Sequence, residues 1–502
     1  MVREGAGCPA DRVSGKVATA IGVVAFLSIA GCLASTVVRP DTWGYLSFGM
    51  LFWQGSFPWQ DPFSYMPVHD PWVFHEWLVG VVLYPLYAGL GGWALLLVRY
   101  ALALACAVFL AGAARVRGAG LPWALGGLVA CALFFARAFP AVRAQGAGYM
   151  FFALLILMLE RARREERPPR TAPLVVVFLL WANLHGGFPL GLVVLATYLL
   201  FAGRRHRKRS VTVFAACLAA TLVNPYGPFL WRAVLVHAAH PQPEIVEWFS
   251  VARTFEVFAE TPYYNAGLVM LGILVAGCAN RLVRDRPAAL VLVLTAFLAL
   301  SHQRHLPFFA FAFAAYAPVW VSAFFRDFRS NRQSGPGAGR AVATALLCAT
   351  LAAAGMAGAA GGLAMVATGR TNPFTPRVPG YDAARPDGFH YPHGVVAFMR
   401  KEGLSGNVLP DQEWGSWLVW TSYPHVRVGM DGRLETVYPE KVRQGYFDYL
   451  LQRPGWRSFL DDYPHEYILT KSRTTRRDAL AVHPGWRLVF EEPGASLFAR
   501  DP

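Results

Sequence analysis

RPDTWGY stands at residues 39–45, directly after the first long apolar segment of the chain, so that Asp41 lies where this segment ends. Two further polar stretches follow closely, QDPFS at residues 60–64 and WVFHEW at residues 72–77. Ionisable side chains at membrane depth are costly, and where they occur they usually serve a function. The pattern predicts a membrane protein with a functional acid at one membrane surface, inside a large first external loop of residues 39–91.

The composition is typical of a polytopic membrane protein. Hydrophobic residues make up 55% of the 502 residues and charged residues 15%, whereas an average soluble chain has about 25% charged residues. Long apolar stretches recur throughout the part of the chain that precedes Gly369. We predict eleven membrane spans, at residues 17–38, 92–114, 120–136, 147–160, 172–184, 188–202, 211–223, 264–279, 288–301, 307–325 and 341–368.

The net charge of +15 does not indicate a nucleic-acid-binding protein, because the basic residues fall in short runs between apolar segments. With eleven spans, these runs, such as those at 161–170 and 204–209, all fall on one side of the membrane, as the positive-inside rule requires. This threading predicts a cytoplasmic N-terminus, which contains Arg3 and Arg12, and places residues 39–91 outside.

Two segments allow a second interpretation. Residues 77–90 could form a span of their own, but this would move Arg115 and Arg117 to the outside, so we expect an interfacial helix there. The sequence IAGC at residues 29–32 resembles a bacterial lipoprotein cleavage site, and we expect the first span to remain uncleaved.

The composition changes after Gly369, where long apolar runs stop and Pro, Asp, Glu, His and Tyr become frequent. We predict a transmembrane domain of residues 1–369, with a cytoplasmic linker at 326–340, and a soluble external α/β domain of residues 370–502. Within the soluble domain we predict helices at 395–402 and 439–451 and strands at 417–420, 426–430, 467–470, 486–490 and 496–499.

Six polar clusters fall on the predicted outer side. They are Asp41; His75 with Glu76; Arg137 with Arg143; Asn183 with His185; Asn224 with Glu244 and Glu247; and His302 with Arg304 and His305. Their convergence on one face predicts a single cavity that opens outward. The seven cysteines have no spacing typical of a metal site or a disulfide framework.

Each cluster also has a structural interpretation that the sequence leaves open. Asp41 could cap the helix that begins at Thr42. The pair His75 and Glu76 could lie on the surface at the start of the interfacial helix, where an acid suits the helix dipole. The sequence NPYG at residues 224–227 is typical of a turn.

Carboxylates near a membrane surface and cations at the lipid boundary suit a substrate with a lipid tail and a phosphate head. A carboxylate can remove the proton from an attacking hydroxyl or amine, and cations stabilise a departing phosphate. We interpret Asp41 as the general base, with His75 and Glu76 supporting it or orienting the acceptor. The predicted donor-phosphate ligands are Arg304, His305, Arg143 and Arg137, and the predicted cavity-lining or acceptor-binding residues are His302, Asn183, His185, Asn224 and Glu247.

This arrangement resembles the GT-C superfamily of membrane glycosyltransferases, which use polyprenyl-phosphate sugars. In that superfamily an acid in the first external loop is catalytic, and Asp41 matches its position. A multi-span domain followed by an external α/β domain also matches. Several short stretches resemble a bacterial subgroup of the superfamily, namely DPFS (61–64), HEWL (75–78), NLHG (183–186), NPYG (224–227), WG (414–415) and DGR (431–433).

The resemblance implies an inverting sugar transfer from a polyprenyl-phosphate donor to a glycan, lipid or protein acceptor. It also implies a bacterial inner-membrane protein whose C-terminal domain is periplasmic. Oligosaccharyltransferases of the superfamily bind a divalent metal through acids in the second external loop, where this chain has Arg137 and Arg143 instead. We therefore expect no metal or other cofactor, with a divalent metal at Asp41 and Glu76, together with Glu244 or Glu247, as the alternative.

Two other functions fit the sequence at this point. A transporter or flippase for a lipid-linked sugar would need charges along the depth of the membrane, for which Arg99 is the main candidate. A non-catalytic envelope assembly protein would tolerate the change Asp41→Asn. The sequence does not identify the sugar, the acceptor or the oligomeric state.

Overall fold

The structure is a computed structural model that describes residues 15–140, 143–239, 244–258, 261–330, 336–386 and 388–501. Arg3, Arg12 and the centre of the predicted linker, residues 331–335, lie outside the described residues.

The part of the chain before residue 370 is helical. Its α-helices are α1 (Gly15–Cys32), α2 (Pro40–Trp53), α3 (Trp77–Leu90), α4 (Trp93–Val116), α5 (Leu121–Ala138), α6 (Ala144–Arg164), α7 (Thr171–Leu184), α8 (Phe188–Leu200), α9 (Arg207–Ala220), α10 (Pro228–Ala239), α11 (Val251–Val257), α12 (Pro262–Ile273), α13 (Ala279–Arg284), α14 (Arg286–Ser301), α15 (Leu306–Ser330) and α16 (Pro336–Ala367). A π-helical segment, Leu274–Cys278, joins α12 to α13.

All eleven segments predicted to span the membrane are helical over most of their length. By length and composition, five helices of the described residues could cross a membrane, namely Trp93–Val116, Leu121–Ala138, Pro262–Arg284, Gln303–Phe328 and Gly339–Ala367. Shorter apolar helices of 10–17 residues occupy other predicted spans, including α7, α8 and α14. The prediction of a helical membrane fold is confirmed, and the number eleven stays a prediction.

The first external loop contains two helices, α2 and α3, that pack against each other. Proline is favoured at the first position of a helix, and an acid in the first turn suits the helix dipole, so Pro40 and Asp41 stabilise the start of α2. Gly49 and Gly80 let the two backbones touch, since a Cβ built on Gly49 would lie 2.2 Å from the carbonyl oxygen of Gly80. α3 matches the segment predicted as an interfacial helix, and its orientation to the membrane stays a prediction.

The C-terminal part of the chain forms one mixed sheet with helices around it. Its elements are α17 (His393–Lys401), β1 (Gly406–Pro410), α18 (Gln412–Ser422), β2 (Val426–Val428), α19 (Glu440–Leu450), α20 (Ser458–Asp462), β3 (Tyr467–Lys471), α21 (Thr475–Ala481), β4 (Trp486–Glu492) and β5 (Ala495–Arg500). The strand order is β2-β1-β3-β5-β4. β1 pairs in parallel with β2 and β3, and β5 pairs antiparallel with β3 and β4.

Four predicted strands are confirmed as β2 to β5, and β1 was not predicted. The strand predicted at residues 417–420 is wrong, because these residues belong to α18. Trp414, Trp417 and Leu418 are spaced three and four residues apart and are all buried, which is the pattern of a helix with one buried face.

The first external loop and the sheet share one hydrophobic core. Phe48 and Phe63 of the loop are buried in the same cluster as Trp414 and Val428. The backbone N–H of Val428, in the edge strand β2, donates to the carbonyl oxygen of Phe63 at 3.0 Å. The C-terminal domain therefore holds the loop that carries Asp41.

A cluster of ion pairs lies at the end of the helical bundle opposite to Asp41. The sequence did not predict it. Arg117 contacts Glu160 Oε1 through Nη1 and Asp285 Oδ2 through Nη2, both at 2.7 Å. Arg163 Nη1 lies 2.6 Å from Asp285 Oδ1. Because the partners stand at the ends of α4 and α6 and the start of α14, the cluster fixes these helices to one another.

Candidate active site

Asp41 and Glu247 are joined by Arg143 at the end of the helical bundle that faces the sheet. Arg143 Nε lies 2.6 Å from Asp41 Oδ2, and Nη1 donates to Glu247 Oε1 at 2.6 Å. Asp41 comes from the first turn of α2, Arg143 is the N-cap residue of α6, and Glu247 lies in a single 3₁₀ turn between α10 and α11. Three separate stretches of the chain therefore meet at one point.

A third carboxylate, Glu76, is connected to the same place through Tyr45. The Tyr45 hydroxyl donates to Glu76 Oε2 at 2.7 Å and accepts from the backbone N–H of Ala144 at 3.4 Å. His75 Nε2 lies 3.6 Å from Glu76 Oε1. Burial acts to raise the pKa of Glu76, but His75, followed by His185 and the Tyr45 hydroxyl, outweighs it and lowers this pKa to about 2. Glu76 is therefore an ionised, oriented group.

Cationic and aromatic side chains border these carboxylates. Arg304 Nη1 lies 3.1 Å from Nε2 of His237, and its guanidinium lies over the ring of Trp248, 4.6 Å from the centroid. The His302 ring meets Trp248 edge-on at 5.2 Å between centroids, and the His305 ring is 5.9 Å from that of His302. Within the described residues, Arg304 forms no ion pair with a carboxylate, which leaves its charge available to an anion.

Three arginines act on Glu247. The adjacent guanidinium of Arg143 lowers the pKa of Glu247 to about 2 against the effect of burial, and Arg304 and Arg137 act in the same direction. Arg137 itself donates from Nη2 to Gln303 Oε1 at 2.9 Å. The electrostatic potential that these arginines create at Glu247 is therefore strongly positive.

Opposing electrostatic effects act on the carboxylate of Asp41. Burial raises its pKa above the ordinary value of 3.8, the Arg143 guanidinium opposes this, and Glu247 and Glu76 add to it. A carboxylate with a raised pKa takes up a proton more readily, and its ion pair fixes its orientation.

Three of the predicted cavity residues also make structural hydrogen bonds. Asn183 accepts from Trp77 Nε1 at 3.0 Å and donates to two backbone carbonyls. Asn224 Oδ1 accepts from the backbone N–H of Tyr226 at 2.9 Å and closes a turn. His185 Nδ1 accepts from a backbone N–H two residues later at 3.1 Å. The role of these residues in a substrate cavity stays a prediction.

The structure brings most of the predicted site residues together. They are Asp41, His75, Glu76, Arg137, Arg143, His185, Glu247, His302, Arg304 and His305. Tyr45, which links Glu76 to the start of α6, was not predicted. The available signal was its spacing of four residues from Asp41, which puts both side chains on one face of a helix.

The C-terminal domain also contacts Asp41. A Cβ built on Gly432 would lie 3.2 Å from Asp41 Oδ1, so this glycine allows a close approach. Arg433, the next residue, contacts Asp61 Oδ1 at 2.5 Å and Asp431 Oδ2 at 2.6 Å. The turn that touches Asp41 is therefore anchored both to the first external loop and to the sheet domain, a connection that the DPFS and DGR motifs did not reveal in the sequence.

A narrow cleft of about 10 Å³, just enough for one water molecule, begins at Thr42, the residue after Asp41. Thr36, Arg99 and Pro376 line it as well. Arg99 donates from Nε and Nη1 to two backbone carbonyls at 2.6 and 2.7 Å. The cleft is mostly apolar, with Val38, Leu95 and Leu96 in its wall, and it is too small for a sugar.

A divalent metal ion does not fit between Asp41 and Glu247 as the site stands, because the guanidinium of Arg143 fills that position. Glu244, another acid in the same loop, instead pairs with Arg453 of the sheet domain at 3.6 Å. In the described part of the chain, no group of three or more His, Cys, Asp or Glu side chains could hold a metal ion. The positive charges in contact with these carboxylates are side chains.

The fold has counterparts among solved structures. The oligosaccharyltransferase of Archaeoglobus fulgidus, solved with a tethered acceptor peptide that contains an NVT sequon, matches with a TM-score of 0.57 and 11% identity, over 97% of this chain and 74% of that chain. ArnT from Cupriavidus metallidurans in the apo state matches with a TM-score of 0.52 and 14% identity, over 96% of this chain and 97% of that chain. No protein-family model and no curated protein matches the sequence. At such low identity the comparison concerns the fold alone, and the chain shares the fold of this oligosaccharyltransferase and of ArnT.

Proposed function

We propose that this protein is a membrane glycosyltransferase that moves a sugar from a polyprenyl-phosphate donor to an acceptor on the periplasmic side. The observation that supports the proposal best is the contact of Arg143 with Asp41 and Glu247, beside two further arginines. It places a base and several fixed cations at one end of a bundle whose fold is shared with an oligosaccharyltransferase and ArnT. The acceptor is a glycan, a lipid or a protein.

Asp41 acts as the general base of the transfer. It takes the proton of the acceptor hydroxyl or amine while the acceptor atom forms a bond to the anomeric carbon of the sugar. The bond between this carbon and the phosphate oxygen breaks, and its electron pair leaves with the polyprenyl phosphate. Attack from the face opposite to the phosphate inverts the anomeric centre. Glu76, held in place by Tyr45, orients the acceptor together with the adjacent His75.

Cationic side chains stabilise the departing phosphate. Arg304 is available to an anion because it stacks on Trp248 and forms no ion pair within the described residues. His305 and Arg137 stand beside it and supply further donors. Charge-assisted hydrogen bonds from arginine suit phosphate oxygens and strengthen as charge develops on them. The reaction needs no divalent metal or other cofactor in this scheme.

We place the protein in the bacterial inner membrane, with its N-terminus in the cytoplasm and residues 370–502 in the periplasm. The basic runs between helices support this orientation through the positive-inside rule. The apolar helices are suited to contact with membrane lipid, so the tail of the donor would lie in the lipid and its phosphate near the membrane surface, where Asp41 is predicted.

A transport function has weaker support. A transport path would need charged groups accessible along the depth of the bundle. Arg99, the main candidate, instead donates to two backbone carbonyls next to the Thr42 cleft. This arrangement stabilises the end of α4 near the first external loop.

The test compares the cell-envelope glycans, glycolipids and glycoproteins of a deletion strain by mass spectrometry. The strain is complemented with the wild type, with Asp41→Asn, or with Asp461→Asn as a matched control, since Asp461 is an exposed acid in the first turn of α20. We expect one sugar to be lost in the deletion and in Asp41→Asn, and to return with the wild type and with Asp461→Asn.

Two outcomes would contradict the proposal. An unchanged glycan profile in the deletion strain would exclude sugar transfer as the function of the protein. A profile fully restored by Asp41→Asn would leave a non-catalytic assembly role as the better explanation.

A further inference from the structure

Arg143 stands in an unusual position for a phosphate ligand, because two of its three guanidinium nitrogens are already used. Nε faces Asp41 and Nη1 faces Glu247, each at 2.6 Å. As the N-cap residue of α6 it is held by the helix that follows, and its side chain is 23% exposed. The main partners of Arg143 are therefore the two carboxylates and not a phosphate.

Two carboxylates this close repel each other unless a cation lies between them. In many oxygen-rich sites that cation is a divalent metal, bound by one or two carboxylates and several waters. A guanidinium can do the same with fixed geometry, because its planar fork matches carboxylate oxygens and it stays charged at every physiological pH. Arg143 is the arginine that acts on both carboxylates, since Arg304 and Arg137 act on Glu247 and the neighbouring cation of Glu76 is His75.

We propose that Arg143 is a permanent internal cation that takes the place of a divalent metal ion between Asp41 and Glu247. The inference rests on the proposed function, since it names the group that keeps the base ionised and oriented. It gives Arg143 a different first role from donor-phosphate binding, while its third nitrogen, Nη2, lies outside both ion pairs and can donate to the leaving phosphate.

The site between Asp41 and Glu247 therefore contains its cation before any substrate or ion binds. A chelator removes the cation from a metal site, whereas it cannot remove the guanidinium of Arg143. Removal of the guanidinium should leave two carboxylates from separate chain segments facing an empty, partly exposed space, and such a pair attracts a hard divalent cation.

The test measures Mn²⁺ binding to purified protein in detergent by electron paramagnetic resonance. Wild type should hold no Mn²⁺ at this site. Arg143→Ser should bind one Mn²⁺ at least about tenfold more tightly than wild type, because two carboxylates are a sufficient protein ligand set for such ions. The double variant Arg143→Ser, Glu247→Gln should lose this binding.

Arg453→Ser is the matched control, because Arg453 also lies between two carboxylates, those of Asp448 and Glu244, but on the exposed surface at 3.1 and 3.6 Å. We expect it to bind Mn²⁺ no better than wild type. Binding by Arg453→Ser equal to that of Arg143→Ser would overturn the inference, as would the absence of any gain in Arg143→Ser.

A second measurement keeps the inference testable if Arg143→Ser does not fold. Wild type and Glu247→Gln are titrated with Mn²⁺ side by side, and neither should bind it at this site. If wild type binds Mn²⁺ and Glu247→Gln does not, the inference is overturned, because a metal ion would then be bound at Glu247 beside Arg143.

Failure of this inference can be told apart from failure of the proposed function. Membranes that form the glycan product identified above are treated with EDTA. Product formation that survives EDTA supports the internal cation. Product formation that EDTA abolishes and Mn²⁺ or Mg²⁺ restores would overturn it while sugar transfer stands. The Mn²⁺ measurements keep their meaning even if no glycan product exists.

Discussion

Arg433 and Arg143 are each placed between two carboxylates, but the two clusters differ in their access to solvent. The side chains of Arg433, Asp61 and Asp431 are 7%, 0% and 1% exposed. Those of Arg143, Asp41 and Glu247 are 23%, 24% and 39% exposed. The first cluster is closed and holds the first external loop to the sheet domain, whereas the second is open and can meet a substrate.

The surroundings of the two arginines also differ, in agreement with one closed and one open cluster. Arg433 is stacked against Phe63 and Trp72, at 5.1 and 4.9 Å from their ring centroids, so its position is fixed on all sides. Arg143 instead keeps one nitrogen outside its ion pairs. The same chemical pattern therefore serves stability when it is closed, and we propose that it serves catalysis when it is open.

The largest expected effect is on the closed cluster. Arg433→Met leaves two buried carboxylates without their cation, which costs about 3–5 kcal/mol of folding free energy in comparable cases. We expect a large fall in Tm, measured by differential scanning fluorimetry in detergent, with Arg453→Met as the surface control. An unchanged Tm would show that Arg433 does not hold the two regions together.

Arg304→Gln should have the next largest effect, in the open region only. Removal of one preorganised donor to a developing negative charge typically lowers kcat by about 10²–10³. We expect this loss in transfer to the identified product, with a Tm close to that of wild type because Arg304 makes no ion pair within the described residues. A normal rate would contradict its role in stabilising the phosphate, and a large fall in Tm would assign it to structure.

Arg143→Gln should change the pH dependence of transfer. Asp41 must be ionised to act as a base, and burial already raises its pKa above 3.8, so the acidic limb of the wild-type profile should lie above that value. Arg143 lowers the pKa of Asp41, and loss of such a neighbour typically raises a carboxylate pKa by about 1–3 units. The limb should move upward in Arg143→Gln and remain near its wild-type position in Arg143→Lys. An unmoved limb in both variants would mean that Asp41 is not the base.

The smallest effect should appear where the two regions touch. In Gly432→Ala the added Cβ would lie 3.2 Å from Asp41 Oδ1, so the carboxylate must give way by a few tenths of an ångström. We expect transfer to fall by about tenfold or less, since larger misplacements of about 1 Å cost about 10²-fold. Gly485→Ala, whose Cβ would have only ordinary contacts from 3.6 Å, is the control. Equal rates for both variants would show that the C-terminal turn does not position Asp41.

The sequence predicts the parts of this structure that depend on local patterns. Apolar runs located the helices, and the acid that follows the first run located Asp41. Short runs of apolar residues located four of the five strands. The error at residues 417–420 arose because tryptophan favours strands in isolation, whereas the spacing of Trp414, Trp417 and Leu418 is helical.

The sequence does not predict which charges meet, because pairing is decided by tertiary packing. Arg143 and Glu247 stand 104 residues apart, and Arg433 and Asp61 stand 372 residues apart. Arg117 was used only as a marker of membrane orientation, although it belongs to a buried ion cluster. The order of the helices predicts that the polar clusters lie on the same side of the bundle. It does not predict which arginine pairs with which carboxylate.

The central claim is that Arg304, beside the open cluster of Arg143, Asp41 and Glu247, binds the phosphate end of a lipid-linked donor. A cryo-electron microscopy structure of the protein in lipid nanodiscs with polyprenyl phosphate tests this most directly. We predict that the phosphate contacts Arg304 while Arg143 still lies between Asp41 and Glu247. A phosphate bound elsewhere, or an Arg143 that has left both carboxylates in favour of a metal ion, would contradict the account.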